Sequence, residues 1–254
     1  MSERGSYIYA ASRHVEDLEG LTGLRGAPLR AVRDRELAAI VSTVELDEFG
    51  EDPLRQHLED LDWLEEVARG HDQVVRTIWS LTGAVAPFRL ATICLNDEAV
   101  EARLTAQYDG LMEALSRVEG RGEWSVKAFL TQAAPITTVA SANGSAGSGT
   151  AYLARRRQEI AGQQKAAEDA EALAEELHRQ LAAAADACRR LPAQDRRLSG
   201  HAEPMVLNGA YLVADQDAEL FRSAVDELGV RRPSVRLQVD GPWPPYSFTS
   251  LEPA

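Results

Sequence analysis

Cysteine is scarce: Cys94 and Cys188 are the only two in 254 residues, they fall on separate expected elements, and they form no Cys-x-x-Cys pair. That excludes a disulfide scaffold and a cysteine-built zinc knuckle and fits a reducing compartment, so a cytoplasmic chain is expected. Positive charge is also short, with 27 Lys and Arg against 40 Asp and Glu for a net charge of -13. Such a field repels nucleic-acid phosphates and anionic headgroups unless a local basic patch overrides it, so no nucleic-acid partner is expected. No apolar run reaches the ~18 residues of a membrane span. The opening MSERGSYIYAASRH is broken by Glu3, Arg4, Arg13 and His14, unlike the apolar segment of a signal peptide. What is present is a globular balance, 44% hydrophobic and 26% charged, which rules out disorder as the global description.

Catalytic and metal signatures are missing too. The five histidines, His14, His57, His71, His178 and His201, show no HxH or HExxH spacing, and no metal site is expected. Gly144, Gly147 and Gly149 precede a helix, but the Lys-Ser/Thr pair of a phosphate loop is absent, and a linker is the simpler reading. Neither cysteine has a neighbouring His or Lys to favour its thiolate. The carboxylate pairs Glu65-Glu66 and Glu175-Glu176 read as exposed helix faces. No catalytic residue and no cofactor are assigned.

Residues 7–12, 29–32 and 37–44 are short β-like runs, the last two joined by an Arg33-Asp34-Arg35-Glu36 turn. Asp52 and Pro53 then open one long amphipathic helix, its stripe running Leu54, Leu58, Leu61, Leu64, Ala68, His71, Val75 and Ile78 to a stop at Gly83. Residues 85–95 predict a buried strand. Asn96 or Asp97 caps a helix with Val100, Leu104, Leu111, Leu115 and Val118 on one face, halted by Gly120 and Gly122. Trp124, Val126, Ala128 and Leu130 alternate on a strand, and a Gly/Ser/Ala-rich loop follows over 141–150. Next come a helix over 150–191, a strand over 205–213, a helix bearing Phe221, Ala224, Val225 and Leu228 with Gly229 beyond its end, and a strand with Val235, Leu237 and Val239. With one more strand in 197–203, the second half reads β-α-β-β-α-β, a ferredoxin-like split βαβ domain. The fold class is therefore α+β in two domains, 1–122 and 123–240, with a Pro/aromatic tail over 241–254.

Two segments carry surface for partners. In the long helix Leu153, Ile160, Ala167, Ala170, Ala174, Leu177, Leu181, Ala184, Cys188 and Leu191 repeat at coiled-coil steps with small residues among them. The stripe either packs along its own domains or projects toward another protein. Arg155, Arg156 and Arg157 crowd the positive end of that helix dipole and call for acidic partners. At the C-terminus, three prolines stiffen Gly241-Pro242-Trp243-Pro244-Pro245-Tyr246-Ser247-Phe248, so the chain should leave the sheet after Asp240. Trp243, Tyr246 and Phe248 either seal an inter-domain crevice or meet a partner. Leu153, Ile160, Leu177, Leu181, Trp243 and Tyr246 are the partner-contact candidates.

That octapeptide, the Gly149-Thr150-Ala151-Tyr152-Leu153-Ala154-Arg155-Arg156 opening of the helix, Pro87-Phe88-Arg89, and Leu207-Asn208-Gly209-Ala210-Tyr211-Leu212-Val213 together resemble the gas vesicle protein F/L family over residues 7–248. Where the family reads Arg-Phe-Gly-Thr after the proline, this chain has Phe88-Arg89-Leu90-Ala91-Thr92. The resemblance implies a non-enzymatic accessory or minor structural protein located at gas vesicles in the cytoplasm. It also implies partners in the major shell protein and other gas vesicle accessory proteins, and a role in nucleation and assembly that prevents shell-protein aggregation. The competing reading is a small-ligand-binding or enzymatic ferredoxin-like protein unrelated to vesicles.

Overall fold

A computed structural model describes residues 3–13, 15, 17–131, 149–193 and 203–249, with the side chains of 149–155 left aside. His14, His201, Gly144, Gly147 and most of the expected 141–150 loop and 197–203 strand lie outside the described residues. The chain forms two compact units, residues 1–123 with 242–254, and residues 124–241.

In the first unit, β1 (Arg4–Ser12), β2 (Arg30–Asp34), β3 (Leu37–Glu45) and β4 (Ala86–Cys94) form an antiparallel sheet in the order β2-β3-β1-β4. β1 and β3 are buried along almost their whole length because helices cover both faces. Tyr7 and Tyr9 point to the α3 side, where the core includes Val67, Val74, Val75 and Ile78. Ile8, one step out of phase on the strand, is buried on the other face, as are Val100 and Leu104 of α4 (Asp97–Ala106) and Leu111 and Leu115 of α5 (Tyr108–Val118). The helix expected from Asp52 to Gly83 is broken: α1 (Leu46–Phe49) and α2 (Glu51–His57) precede α3 (Leu61–Thr82). The cap that wins is Asp60, whose carboxylate accepts from the N–H groups of Asp62 and Trp63, and it leaves Leu58 and Leu61 exposed. Gly83 does end α3, at a left-handed φ of 70°. The helix after Asn96, whose side chain caps it, is likewise interrupted at Gln107.

In the second unit, β5 (Arg121–Leu130), β6 (Ala187–Arg190), β7 (Met205–Ala214) and β8 (Val235–Trp243) are ordered β6-β7-β5-β8. With α6 (Gly149–Ala182) after β5 and α7 (Ala218–Arg231) after β7, this is the split βαβ arrangement. Trp124, Val126 and Ala128 alternate inward against Leu177, Leu181, Phe221 and Val225. The long helix stops at Ala182, short of the expected Leu191, and Cys188 lies in a strand. The backbone there joins the edge of β7 instead: Asp186 N–H donates to the Leu212 carbonyl, and Ala187 to Arg190 pair with Leu212 to Gly209. Gly229 sits inside α7, which runs on to Arg231. β8 also continues past Asp240 to Trp243, since an edge strand tolerates Pro242 without a donor.

The two sheets share one order, each unit's second, third, first and fourth strands lying side by side. The crossover that is a 34-residue helix in the second unit is a loop with one 3-10 turn, Leu24–Gly26, in the first.

Candidate interaction surfaces

The tail is built into the first unit by polar contacts at each aromatic. The Arg76 guanidinium lies 4.0 Å above the Trp243 ring and is paired with Asp72 one helical turn away. Asp72 also accepts from the Tyr246 hydroxyl at 3.1 Å. Burial first, and the Asp72 carboxylate second, push the Tyr246 phenol above its ordinary range, so it serves as a neutral donor. Glu123 accepts from the Ser247 backbone N–H at 2.7 Å and from its hydroxyl at 2.6 Å, and Arg117 donates to the Phe248 carbonyl at 3.2 Å. Phe248 is buried, and Tyr246 packs on the sheet's α3-side core. A side chain at Gly122 would put its Cβ 2.6 Å from that of Pro242, so the close approach of these strands needs glycine there.

Behind the tail, His71 is buried within the same unit. The Tyr7 hydroxyl accepts from the Ala91 N–H at 3.0 Å and is hydrogen-bonded to His71 Nδ1 at 3.1 Å. The His71 Nε2 has no hydrogen bond of ordinary geometry. Burial lowers the His71 pKa to about 4 against the opposing pull of Asp72 and the Phe88 carbonyl. Cys94 is half-buried and its thiol pushed up by burial, so it stays protonated. Among the described residues, no three His, Cys, Asp or Glu side chains are grouped to hold a metal ion. No described helix is long and apolar enough to cross a membrane.

The second unit presents an open groove of about 650 Å³ beside α6. Ala167 and Ala170 form its helical wall, and Leu191, Pro192, Met205 and Val206 bring apolar surface from β6, β7 and the chain next to them. Leu191 N–H donates to the Asn208 carbonyl at 2.7 Å, and the Asn208 side chain donates to the Pro192 carbonyl at 2.9 Å, fixing that wall. A two-bond Arg190–Glu171 pair, at 2.7 and 3.2 Å, links helix to strand. Sequence reasoning missed Leu191 as a strand-end position, because the alanine run before it carries no stop signal; only the ladder to β7 places it here.

The expected contact residues are therefore divided. Leu177 and Leu181 are 0% and 1% exposed, in the second unit's own core, and are corrected to structural positions because the sheet already covers that part of the stripe. Ile160 is 42% exposed. Leu153 lies on α6, with its side chain outside what is described. Trp243 and Tyr246 are half-buried on the first unit, close to one another in the chain and linked through Asp72 and Arg76. The structure does not gather the helix candidates and the tail candidates into one cluster within either unit.

The profile of the gas vesicle synthesis protein GvpL/GvpF family matches residues 5–250. The chain is 37% identical to gas vesicle protein L of Streptomyces sp. (strain CB03234) over 254 residues, covering 98% of this chain and 94% of that protein. It is 29% identical to gas vesicle protein F of the same strain, covering 96% and 98%. The crystal structure of GvpF from Anabaena sp. PCC7120 superposes with a TM-score of 0.72 at 17% identity, covering 98% of this chain and 97% of that one, a likeness of fold.

Proposed function

Because the chain belongs to the gas vesicle synthesis protein GvpL/GvpF family, we propose that it is a non-enzymatic gas vesicle assembly protein that binds the major shell protein and keeps it from aggregating. A gas-filled shell needs subunits with a strongly apolar face, and such subunits in water pair edge to edge and aggregate. A holder must cover that face reversibly while remaining soluble itself. The observation that carries this reading is the groove beside α6, whose 650 Å³ accommodates several apolar side chains next to a fixed ion pair. A net charge of -13 on the rest of the molecule would keep the complex dispersed. Ile160 and the half-buried Trp243 add apolar surface for the same class of partner.

Co-expression of the shell protein with and without this chain tests the proposal. We expect more soluble shell protein and its co-purification with the chain. Leu191→Glu and Met205→Glu, which place charge in the groove, should cut capture by at least about tenfold, as ~1.4 kcal/mol of lost binding does. Val230→Glu, at a position 83% exposed and off the groove lining, should not. Equal solubility in both cultures together with no capture would refute the holder role.

A further inference from the structure

Exposed leucines gather at one elbow of the first unit. Among the described residues eight large apolar side chains are exposed, and only Leu58 and Leu61, at 45% and 77%, lie within nine residues of one another. Single residues of this kind are ordinary surface, whereas neighbours form a patch. Leu58 closes α2 one turn beyond the half-buried Leu54, to whose carbonyl its N–H donates at 2.9 Å. Leu61 opens α3, where Leu61, Leu64 and Ala68 recur at steps of three and four along the flank beside the buried Val67, His71 and Val74. The elbow between the two helices is fixed: the Trp63 ring stacks on His57 at 5.1 Å, and its Nε1–H donates to Glu48 at 2.8 Å. The patch is therefore presented ready-made, which lowers the cost of binding to it. At 77% exposure Leu61 adds almost no burial to the fold, so stability does not account for a leucine there.

The charge around the patch selects its occupant. Residues 47–66 carry nine carboxylates and one arginine, Arg55, while Arg25 reaches in to Glu48 and Glu66 and Arg69 to Glu65, which leaves six negative charges uncompensated. The N-termini of α1, α2 and α3 all favour acidic residues, but at roughly half a positive charge each they offset only about 1.5 of that excess. Glu59 stands in the turn between Leu58 and Leu61, and Asp62 directly follows Leu61; among the described residues neither side chain has an ion-pair partner. Short apolar ridges at helical spacing accept the i, i+3, i+4 anchors of another helix. We propose that the elbow formed by Leu54, Leu58, Leu61 and Leu64 docks a cationic amphipathic helix of another protein, its aliphatic anchors on the leucines and its arginines or lysines over Glu59 and Asp62. The same charges repel anionic headgroups and nucleic-acid phosphates, so the occupant is a protein segment. This surface belongs to the first unit and does not depend on the groove of the second.

The probe is a synthetic leucine/lysine peptide of about 18 residues, long enough to hold a helix, with its leucines at i, i+3, i+4 and i+7. Titrated against the full chain by calorimetry, it should bind with a dissociation constant of about 1 to 100 μM, and more weakly at high salt. A peptide of the same composition in scrambled order, which keeps the charge and loses the apolar face, should bind at least about tenfold more weakly. Leu58→Ser with Leu61→Ser, and separately Glu59→Gln with Asp62→Asn, should each weaken binding of the first peptide by at least about tenfold. Because both leucines are exposed, urea unfolding of the leucine variant should stay close to that of the wild type. Leu81→Ser, 61% exposed near the other end of α3, and Glu98→Gln with Glu101→Gln, exposed on α4, should leave binding unchanged, and Leu191→Glu in the groove should not weaken it. A wild type that does not bind, a scrambled peptide that binds equally, either elbow variant binding like the wild type, or loss of binding in Leu191→Glu would each overturn the proposal.

Discussion

His71 and Ala91 meet at the Tyr7 hydroxyl, and each leads to a measurement. The pKa of His71 is about 4 in the fold against an ordinary 6.5, so the unfolded chain takes up a proton that the folded chain refuses. The stability tied to its neutrality is complete above pH 6.5 and is lost progressively as pH falls toward 4. Between pH 7 and pH 5 the loss is about 2 kcal/mol, at ~1.36 kcal/mol per pKa unit. Urea unfolding at the two pH values should show it for the wild type and a flatter response for His71→Gln. Among the described residues Ala91 is one of three non-glycine residues at positive φ, at 59°, and its N–H is held by Tyr7 where β4 bulges between the Ile8 and Ala10 pairings. A left-handed alanine costs about 1 to 2 kcal/mol, partly offset in glycine by the entropy of its unfolded chain. Ala91→Gly should therefore raise the urea midpoint, by up to about 1 kcal/mol of stability, and Ala91→Val should lower it. A lower midpoint for the glycine variant would mean the methyl's packing outweighs the strain.

At the level of elements, periodicity revealed most of what is here and hid a definable remainder. Strand alternation in Trp124, Val126 and Ala128 and the helical stripe of Val100, Leu104, Leu111, Leu115 and Val118 both correspond to buried faces, because burial on one side is what such patterns record. The breaks were harder to read. Asp52-Pro53 is as good a helix start as Asp60, and only the packing of Val67, His71 and Ile78 decides which turn the long helix begins on. The run Ala182-Ala183-Ala184-Ala185 has the best helix former at every position, yet the chain turns there because β7 has an open edge to fill. Since the groove depends on that turn, the site was invisible as a site: its alanines and Leu191 were legible as one helical stripe and Met205 as the start of a strand, but not that the chain turns to set Leu191 and Pro192 beside Met205. Leu177 and Leu181 show the same limit from the other side, as a seam suited to a partner helix is equally suited to the chain's own sheet.

On the scale of the whole molecule, the chain order nests one unit inside the other. Residues 1–123 and 242–254 make a single compact body, and everything between them makes the second. Each sheet has all four of its strands before or within its own unit's stretch of chain, yet the first unit also takes in a tail piece, residues 242–249, made only after the second unit. That piece is substantial. Phe248 is buried, Tyr246 packs on the core and donates to Asp72, and Glu123 receives two bonds from Ser247. Fully burying a side chain the size of Phe248 is worth roughly 1.5 to 3 kcal/mol, and the half-buried Tyr246 adds to it, so losing the tail removes about 2 kcal/mol or more from a domain whose total is roughly 5 to 15. A fragment of residues 121–243 should fold alone, with a dispersed amide spectrum. A fragment of 1–123 should be loosely packed, with exposed apolar surface that binds dye. Glu123 adjoins Gly122, whose Cβ position lies against Pro242, so a Gly/Ser linker of about four residues can join 123 to 242 and restore the first unit. If 1–123 unfolds at the same urea concentration with and without the joined tail, the tail is an appendage of the fold, and the aromatics at Trp243 and Tyr246 are open to serve a partner outright.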